Sequence, residues 1–359
     1  MILKDSHLNE MITNPEKAAV IANLVYLNDD VTNFSIQRKR VEKDFIYEKN
    51  GVLIDQEEIE RIESLVIPPA WEKVRITHIT NGHLQVVGRD LKHRKQYKYH
   101  PLWSKIRNQT KFFKMASFAN ILPKIRQQVE KDLSVTGMPK RKVLALVIKL
   151  MEETHIRVGN EYYAKRNKTY GLSTLRSRHV THGKGKLKFH FVGKKGKEHT
   201  VTLRNKKLIR LVNRCEEIPG WELFKYYDEA NKKHTIDSGM INDYIQSISG
   251  DLFSAKDFRT WAATVVFFEA VRDIGFVEDK AKNQKNVLAG FDAAAAALGN
   301  TRNVCRKYYV HPEIVASYKN GSIVPYFEAV NEEPQKHSNF MSQTELIIRD
   351  AIKKFKIEV

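Results

Sequence analysis

Tyr308 and Tyr309 stand side by side in GNTRNVCRKYYVHPEI (299–314), directly behind Arg306 and Lys307. A free tyrosine has a pKa near 10, so only about one phenol in a thousand is ionised at neutral pH. Neighbouring cations favour the phenolate, and they also attract the phosphate that such a nucleophile would attack. Breaking a phosphodiester takes an in-line nucleophile, cations that hold the non-bridging oxygens as charge builds, and an acid for the departing alkoxide. Tyr, Arg and Lys can supply all three. Hydrolases usually recruit metal for this through clustered carboxylates. No such cluster is evident here, and His78, His83, His93 and His100 sit among basic residues, so no metal site is expected. Consecutive helical residues point about 100° apart, so the two tyrosines cannot share one site. The local pattern does not say which of them acts.

The 359-residue chain carries a net charge of +19. A surplus that large points to a polyanionic partner, nucleic acid before anionic membrane. The stretch GRDLKHRKQYKYHPLWSKIR (88–107) interleaves cations with Tyr97, Tyr99 and Trp103. Cations meet phosphates while aromatic rings pack against sugars. Arg89, Lys92, Arg94, Lys95, Tyr97, Lys98 and Tyr99 are the expected DNA contacts there. The competing reading is a solvated edge strand guarded by lysines. Nothing in the stretch encodes base readout, and neither a zinc finger nor an RRM consensus is present. No run approaches the roughly 18 apolar residues that a membrane span needs. Residues 1–30 lack the basic start, apolar run and cleavage site of a signal peptide. The expectation is a soluble, cytoplasmic, nucleoid-associated protein. Cys215 and Cys305 lie far apart, which suggests a reducing compartment and neither a disulfide framework nor a Cys-type zinc site.

The elements that must position these residues fall into two textures. Residues 1–30 form a helical lead, in which NPEKAAVIANLVYLND has apolar residues at helical spacing. From about 34 to 100 short alternating runs dominate, with Asn81-Gly82 as a hairpin-turn signal and IPPAW (67–71) as a loop. From about 104 the period becomes helical, with Val143, Val147, Leu150 and Met151 on one face. A β insert follows, KLKFHFVGKKGKEHTVTL, with its turn at GKKGK. Helices are predicted at about 237–249, 256–274 and 281–298, with Gly299 as the C-cap of the last. Residues 331–338 look like a linker before a terminal amphipathic helix. The fold class is α+β, with a β-rich N-terminal domain (1–105), a mainly helical domain (106–330), and a linker with C-terminal helix (331–359).

HIRVGNEYYAKRNKTYGLSTLRSRH, FVGKKGK, KDFRTWAAT and LGNTRNVCRKYYVHP match, in that order, the motifs of type IB DNA topoisomerases. The chain resembles the short bacterial and poxvirus-like members over most of residues 60–315. GRDLKHRKQYKYHPLW and IPPAW are similar to the small N-terminal domain of the bacterial members. The resemblance implies a tyrosine recombinase/topoisomerase IB catalytic core and assigns roles that the residues alone leave open. Arg157, otherwise an arginine complementing a helix C-terminus, becomes the first phosphate-binding arginine, its planar fork suited to two oxygens. Lys194, which physics cannot separate from Lys195 and Lys197 in the same turn, becomes the general acid for the 5′-hydroxyl leaving group. Arg259, whose ordinary partner would be Asp257 or Glu269, becomes the second phosphate-binding arginine, with Lys256 three residues earlier as a DNA contact. Asn300 takes the place where poxvirus and eukaryotic relatives have histidine. It can donate one hydrogen bond but cannot carry charge, and asparagine is common in the bacterial members. The nucleophile falls nine residues later, on Tyr309, leaving Tyr308 to packing or surface. In an unbroken helix, Asn300 and Tyr309 would lie on opposite faces about 13 Å apart, so Asn300 is expected before the helix start.

The activity implied is relaxation of supercoiled duplex DNA through a 3′-phosphotyrosyl intermediate, by a monomer needing no ATP, metal or other cofactor. Two rival readings remain. A tyrosine recombinase or integrase usually carries histidine where Lys256 stands and a helical arm-binding domain where this chain has a β module. A catalytically silent architectural DNA-binding protein is disfavoured because all five candidate positions are filled.

Overall fold

The computed structural model describes residues 10–250, 252–331 and 340–357. The expected 331–338 linker lies outside the described residues except at Asn331, which ends a helix. The chain divides into two compact units, Met1–Lys114 with Lys356–Val359, and Met115–Phe355. The change of sequence texture placed the division before residue 106. It falls later because the amphipathic helix Pro101–Phe113 (α3) packs Trp103 and Ile106 against Met11, Ala18 and Ile357 in the first unit.

The first unit is built on a six-stranded sheet in the order β3-β2-β1-β4-β5-β6. Its strands are β1 (Ile36–Val41), β2 (Asp44–Lys49), β3 (Val52–Leu53), β4 (Glu72–Ile76), β5 (Leu84–Arg89) and β6 (Lys95–Tyr99). Helix α1 (Pro15–Ile21) precedes them. A second helix, α2 (Gln56–Ser64), interrupts the β texture and was not expected. Asp55 caps it by accepting from the Glu58 amide at 2.8 Å, and Ile62 is its buried anchor. Asn81-Gly82 does lie between β4 and β5, but not as a two-residue hairpin turn. Gly82 has no positive φ; the Leu27 side chain lies within 2.4 Å of where its Cβ would stand. The IPPAW loop is held by the Arg38 guanidinium, which donates to the carbonyls of Pro68 (3.1 Å) and Trp71 (2.7 Å).

The second unit is mainly helical around one core. Its helices include α4 (Met115–Leu133), α5 (Lys140–Thr154), α6 (Glu161–Asn167), α7 (Lys206–Glu216), α8 (Ser238–Ser249), α9 (Ala255–Ile274), α10 (Lys280–Leu298) and α11 (Arg302–Tyr308). Then follow α12 (Pro312–Asn320), α13 (Val324–Asn331) and α14 (Gln343–Ile352). Helix α5 buries not one face but nearly all its apolar residues, from Val143 to Ile148 and at Leu150 and Met151. A helix apolar on all sides belongs at the centre of its unit. The β insert is a three-stranded antiparallel sheet, β7 (Val180–Gly183), β8 (Lys186–Val192) and β9 (Glu198–Leu203). Leu187 pairs with Leu203 and Phe189 with Val201, so both strands turn the same alternate residues to the core.

Candidate active site

Tyr309 is placed by the end of a helix rather than by its body. Gly299, at φ +61°, terminates α10, and its amide bonds the Ala296 carbonyl at 3.2 Å. Thr301, not Asn300, caps α11, and Tyr309 sits just past that helix at φ −128°, ψ −44°. Asn300 therefore precedes the helix start, as the nine-residue spacing requires. The Tyr309 amide bonds the Cys305 carbonyl at 3.0 Å. Behind it, the Thr264 hydroxyl on α9 donates to the Thr260 carbonyl (2.9 Å), accepts from the His311 amide (3.1 Å) and lies 3.4 Å from the Tyr309 carbonyl. Sequence reasoning missed Thr264 as a support for Tyr309, although it closes the KDFRTWAAT motif. Tyr308 points away; it is 46% exposed, with the Lys307 ammonium 5.4 Å from its ring.

Arg157 is not on a helix. Helix α5 stops at Thr154, and His155 takes the left-handed conformation at its C-cap. Arg157 follows in a segment pinned by main-chain bonds, Leu172 N to Arg157 O at 2.8 Å and Ser173 N to Val158 O at 2.6 Å. This placement removes the helix-dipole explanation for Arg157. Its guanidinium donates to Asn300 Oδ1. Arg259 lies in the first turns of α9 and is only 5% exposed. Neither Asp257 nor Glu269 pairs with it among the described residues. Asp257 instead accepts from the Ser254 amide (2.9 Å) and hydroxyl (3.1 Å) at the helix start. Arg259 donates to the main-chain carbonyls of His155 and, at 2.9 Å, Leu298. The guanidinium carbon lies 5.7 Å from the centre of the Tyr309 ring.

Lys194 is exposed in the turn between β8 and β9, which the Gly193 amide closes on the Lys197 carbonyl at 2.7 Å. Arg157, Lys194 and Gly299 line a cavity of about 210 Å³ that also receives His155 and His199. Neither histidine was singled out from the sequence, because nothing local separates them from the chain's other eleven.

The electrostatics of this group are one-sided. Burial pushes the Tyr309 phenol up, but Arg259, Arg157 and Lys194 outweigh it and hold the phenol below its ordinary value. Burial and the nearby Arg157 push Arg259 down to about 10. Burial, helped by Arg157, Lys197 and Arg259, also holds His199 below its ordinary value. Two buried donors have no hydrogen-bond partner among the described residues, Arg259 Nε and Asn300 Nδ2. Buried polar groups are almost always paired; the Asn300 amide lies beside the Cys305 thiol, and Arg259 Nε lies next to the Arg157 guanidinium. Three or more His, Cys, Asp or Glu side chains do not gather in metal-binding geometry among the described residues.

The expected N-terminal contacts separate into two sets. Tyr97 and Tyr99 are both 42% exposed on β6, with ring centres 6.1 Å apart. Lys95 shares their face and pairs with Asp29. Arg94 turns to Asp90, with Nε–Oδ2 at 2.7 Å, and this bond draws the Asp90 carboxyl down to about 2. Arg89 donates to the His93 carbonyl (2.8 Å) and Lys98 to the Val66 carbonyl (2.7 Å). Lys92 and Lys256 are exposed, the second on the opening turn of α9. Strand β6 is also an edge strand, so the two readings of its lysines are compatible.

Residues 95–334 match the family described as eukaryotic DNA topoisomerase I, catalytic core, and residues 44–90 match bacterial DNA topoisomerase IB, N-terminal domain. The chain is 31% identical over 297 residues to the DNA topoisomerase 1B of Acanthamoeba polyphaga mimivirus, covering 81% of this chain and 88% of that protein. It is 26% identical over 238 residues to the DNA topoisomerase 1 of Rabbit fibroma virus (strain Kasza), covering 64% and 70%. The DNA topoisomerase 1B of Vaccinia virus (strain Copenhagen) is 21% identical over 236 residues, covering 65% and 72%.

Proposed function

The chain belongs to the type IB DNA topoisomerase family, and on that premise we propose that it relaxes supercoiled duplex DNA through a covalent bond between Tyr309 and a 3′-phosphate. The Tyr309 oxygen attacks phosphorus in line, and its phenolic proton passes to solvent water. The bond to O5′ breaks, the Lys194 ammonium gives O5′ its proton, and a 5′-hydroxyl leaves. Arg157 and Arg259 hold the non-bridging oxygens while negative charge builds, and Asn300 adds one neutral donor. After the cut strand has turned about its partner, the 5′-hydroxyl attacks the phosphotyrosyl phosphorus, returns its proton to Lys194 and expels Tyr309 as a phenolate, which takes its proton back from solvent water. Bond energy is retained in the phosphotyrosyl link, so neither ATP nor a divalent ion enters the balance.

The observation that carries this reading is the convergence of cations from three distant segments on one half-buried phenol. Arg259, Arg157 and Lys194 all lower the pKa of Tyr309 against the cost of burial. Exposed Lys92, Lys95, Tyr97, Tyr99 and Lys256 supply sequence-independent backbone contacts. Plasmid relaxation in the presence of a chelator tests the chemistry, with activity expected in full; a strict magnesium requirement would sink it. Tyr309→Phe is expected to bind DNA and form no covalent adduct. Denaturant trapping of the wild type should map the link to Tyr309 and to a 3′ DNA end, and a 5′ link would reject the assignment.

A further inference from the structure

The turn that carries Lys194 needs a reason to stay near Asn300. It joins two strands of a surface sheet, whereas Asn300 follows helix α10, about a hundred residues later in the chain. One side chain spans the two places. The imidazole of His199, the second residue of β9, stacks on Phe191 of β8 with ring centres 5.2 Å apart and planes 13° apart. One edge of that ring fills the space beside Gly193, where a Cβ would stand 2.6 Å from Cδ2 and 2.7 Å from Nε2. The opposite edge fills the space beside Gly299, where a Cβ would stand 2.5 Å from Cε1 and 2.9 Å from Nδ1. Gly193 immediately precedes Lys194, and Gly299 immediately precedes Asn300. Both glycines lack a side chain at the two points where the ring presses in, and the 210 Å³ cavity opens beside it.

Resting on the reading of Lys194 as general acid, we propose that His199 is a positioning residue, a flat wedge that fixes the Lys194 turn against the end of α10. Its work is done by shape and stacking, since no side-chain hydrogen bond holds the ring among the described residues. Without the wedge the turn is free to swing over the cavity, and the ammonium no longer meets O5′ in the transition state. Misplacing a reacting group by about 1 Å can cost about 10²-fold in rate.

The test compares two leaving groups in single-turnover cleavage of a duplex. One substrate has the ordinary bridging oxygen at the scissile 5′ position. The other has bridging sulfur, which departs as a thiolate with a pKa near 8.5 and needs no proton. His199→Ala is expected to cleave the oxygen substrate about 10- to 100-fold slower than wild type, to bind duplex as well, and to cleave the sulfur substrate at the wild-type rate. Lys194→Ala supplies the reference pattern. His199→Phe keeps a flat ring on Phe191 and is expected to restore most of the oxygen rate. Equal slowing on both substrates, or no slowing on either, overturns the proposal. So does a slow His199→Phe with sulfur rescue intact, which would make the imidazole itself a proton carrier. If wild type fails to form a Tyr309 adduct on the sulfur substrate, the underlying assignment of Tyr309 fails instead.

Discussion

Two arginines in the second unit, Arg126 partly buried and Arg259 buried, face opposite circumstances. Arg126, on α4, is held by carboxylates. It bonds Glu345 through both terminal nitrogens at 2.8 Å and Glu152 through Nε at 2.8 Å, and it also donates to the Phe340 carbonyl at 2.7 Å. Burial works against its charge, yet Glu345 and Glu152 outweigh that cost and hold its pKa up. Arg259, on α9, has main-chain carbonyls, a neighbouring guanidinium and an unpartnered Nε, and burial pushes it down. The two networks touch the same helix, because Trp261, two residues beyond Arg259, donates to Glu345 at 2.9 Å. A buried cation with its own counter-ions is part of the scaffold. A buried cation without them keeps its charge free for an incoming anion, and under the proposed mechanism the phosphate needs the second kind.

That contrast can be broken by mutation. The largest effect is expected at Arg126. Arg126→Ala strands Glu345 and Glu152 in the interior, at a cost of about 3–5 kcal/mol, read as a fall in the urea midpoint. Below its unfolding transition the variant should retain the wild-type cleavage rate. A stable but inactive Arg126→Ala would erase the distinction between the two arginines. The pH dependence runs the same way at Glu345, whereas burial leaves the Glu152 carboxyl above its ordinary value despite Arg126. Burial raises the Glu345 pKa, but Arg126 more than offsets it and leaves it below the ordinary carboxylate value. Its contribution to stability is thus present above its unfolded pKa and is lost as pH falls through the folded one.

At Arg259 the expectation inverts. Arg259→Ala should lose about 10²- to 10³-fold in single-turnover cleavage, the usual cost of one preorganised donor. It should leave the urea midpoint unchanged or higher, because an unpaired buried charge has been removed. Loss of stability as large as that of Arg126→Ala would make Arg259 a scaffold residue.

The parts of this arrangement that the sequence reveals are those set by neighbours in the chain. Helices α8, α9 and α10 fall within a residue or two of the expected 237–249, 256–274 and 281–298, because caps at Asp237, Ser254 and Gly299 mark their ends. The α+β division and the turn at Lys194 follow from changes of period. What stays hidden depends on partners far apart. Arg126 and Glu345 are 219 residues apart, and no local pattern joins them. Arg157 reads as the end of a helix because the left-handed turn at His155 has no glycine to announce it. The site residues came from motif order, since three lysines in one turn and two adjacent tyrosines are equivalent until tertiary packing separates them.

A smaller effect sharpens the idea of a charge kept free for an anion. Sulfate or inorganic phosphate should stabilise the wild type by up to about 1.4 kcal/mol for each tenfold excess over its Kd. The thermal midpoint should rise more for wild type than for Arg259→Ala at the same ionic strength, held with chloride. Equal rises in both proteins would assign the effect to general screening.

The smallest expected signal is the ionisation of Tyr309 itself. Near-ultraviolet phenolate absorbance, taken as wild type minus Tyr309→Phe, isolates one phenol. It should titrate below the ordinary value near 10, because Arg259, Arg157 and Lys194 together overcome burial. In Arg259→Ala the largest of those opposing charges is gone while much of the burial remains, so the same difference signal should move to higher pH. Stability has the matching sign. A folded pKa below the unfolded one stabilises only above the unfolded value, and that gain is lost as pH falls through the folded one. A phenol that titrates above 10 in wild type would mean that burial outweighs the three cations, and the contrast with Arg126 would then describe packing rather than charge.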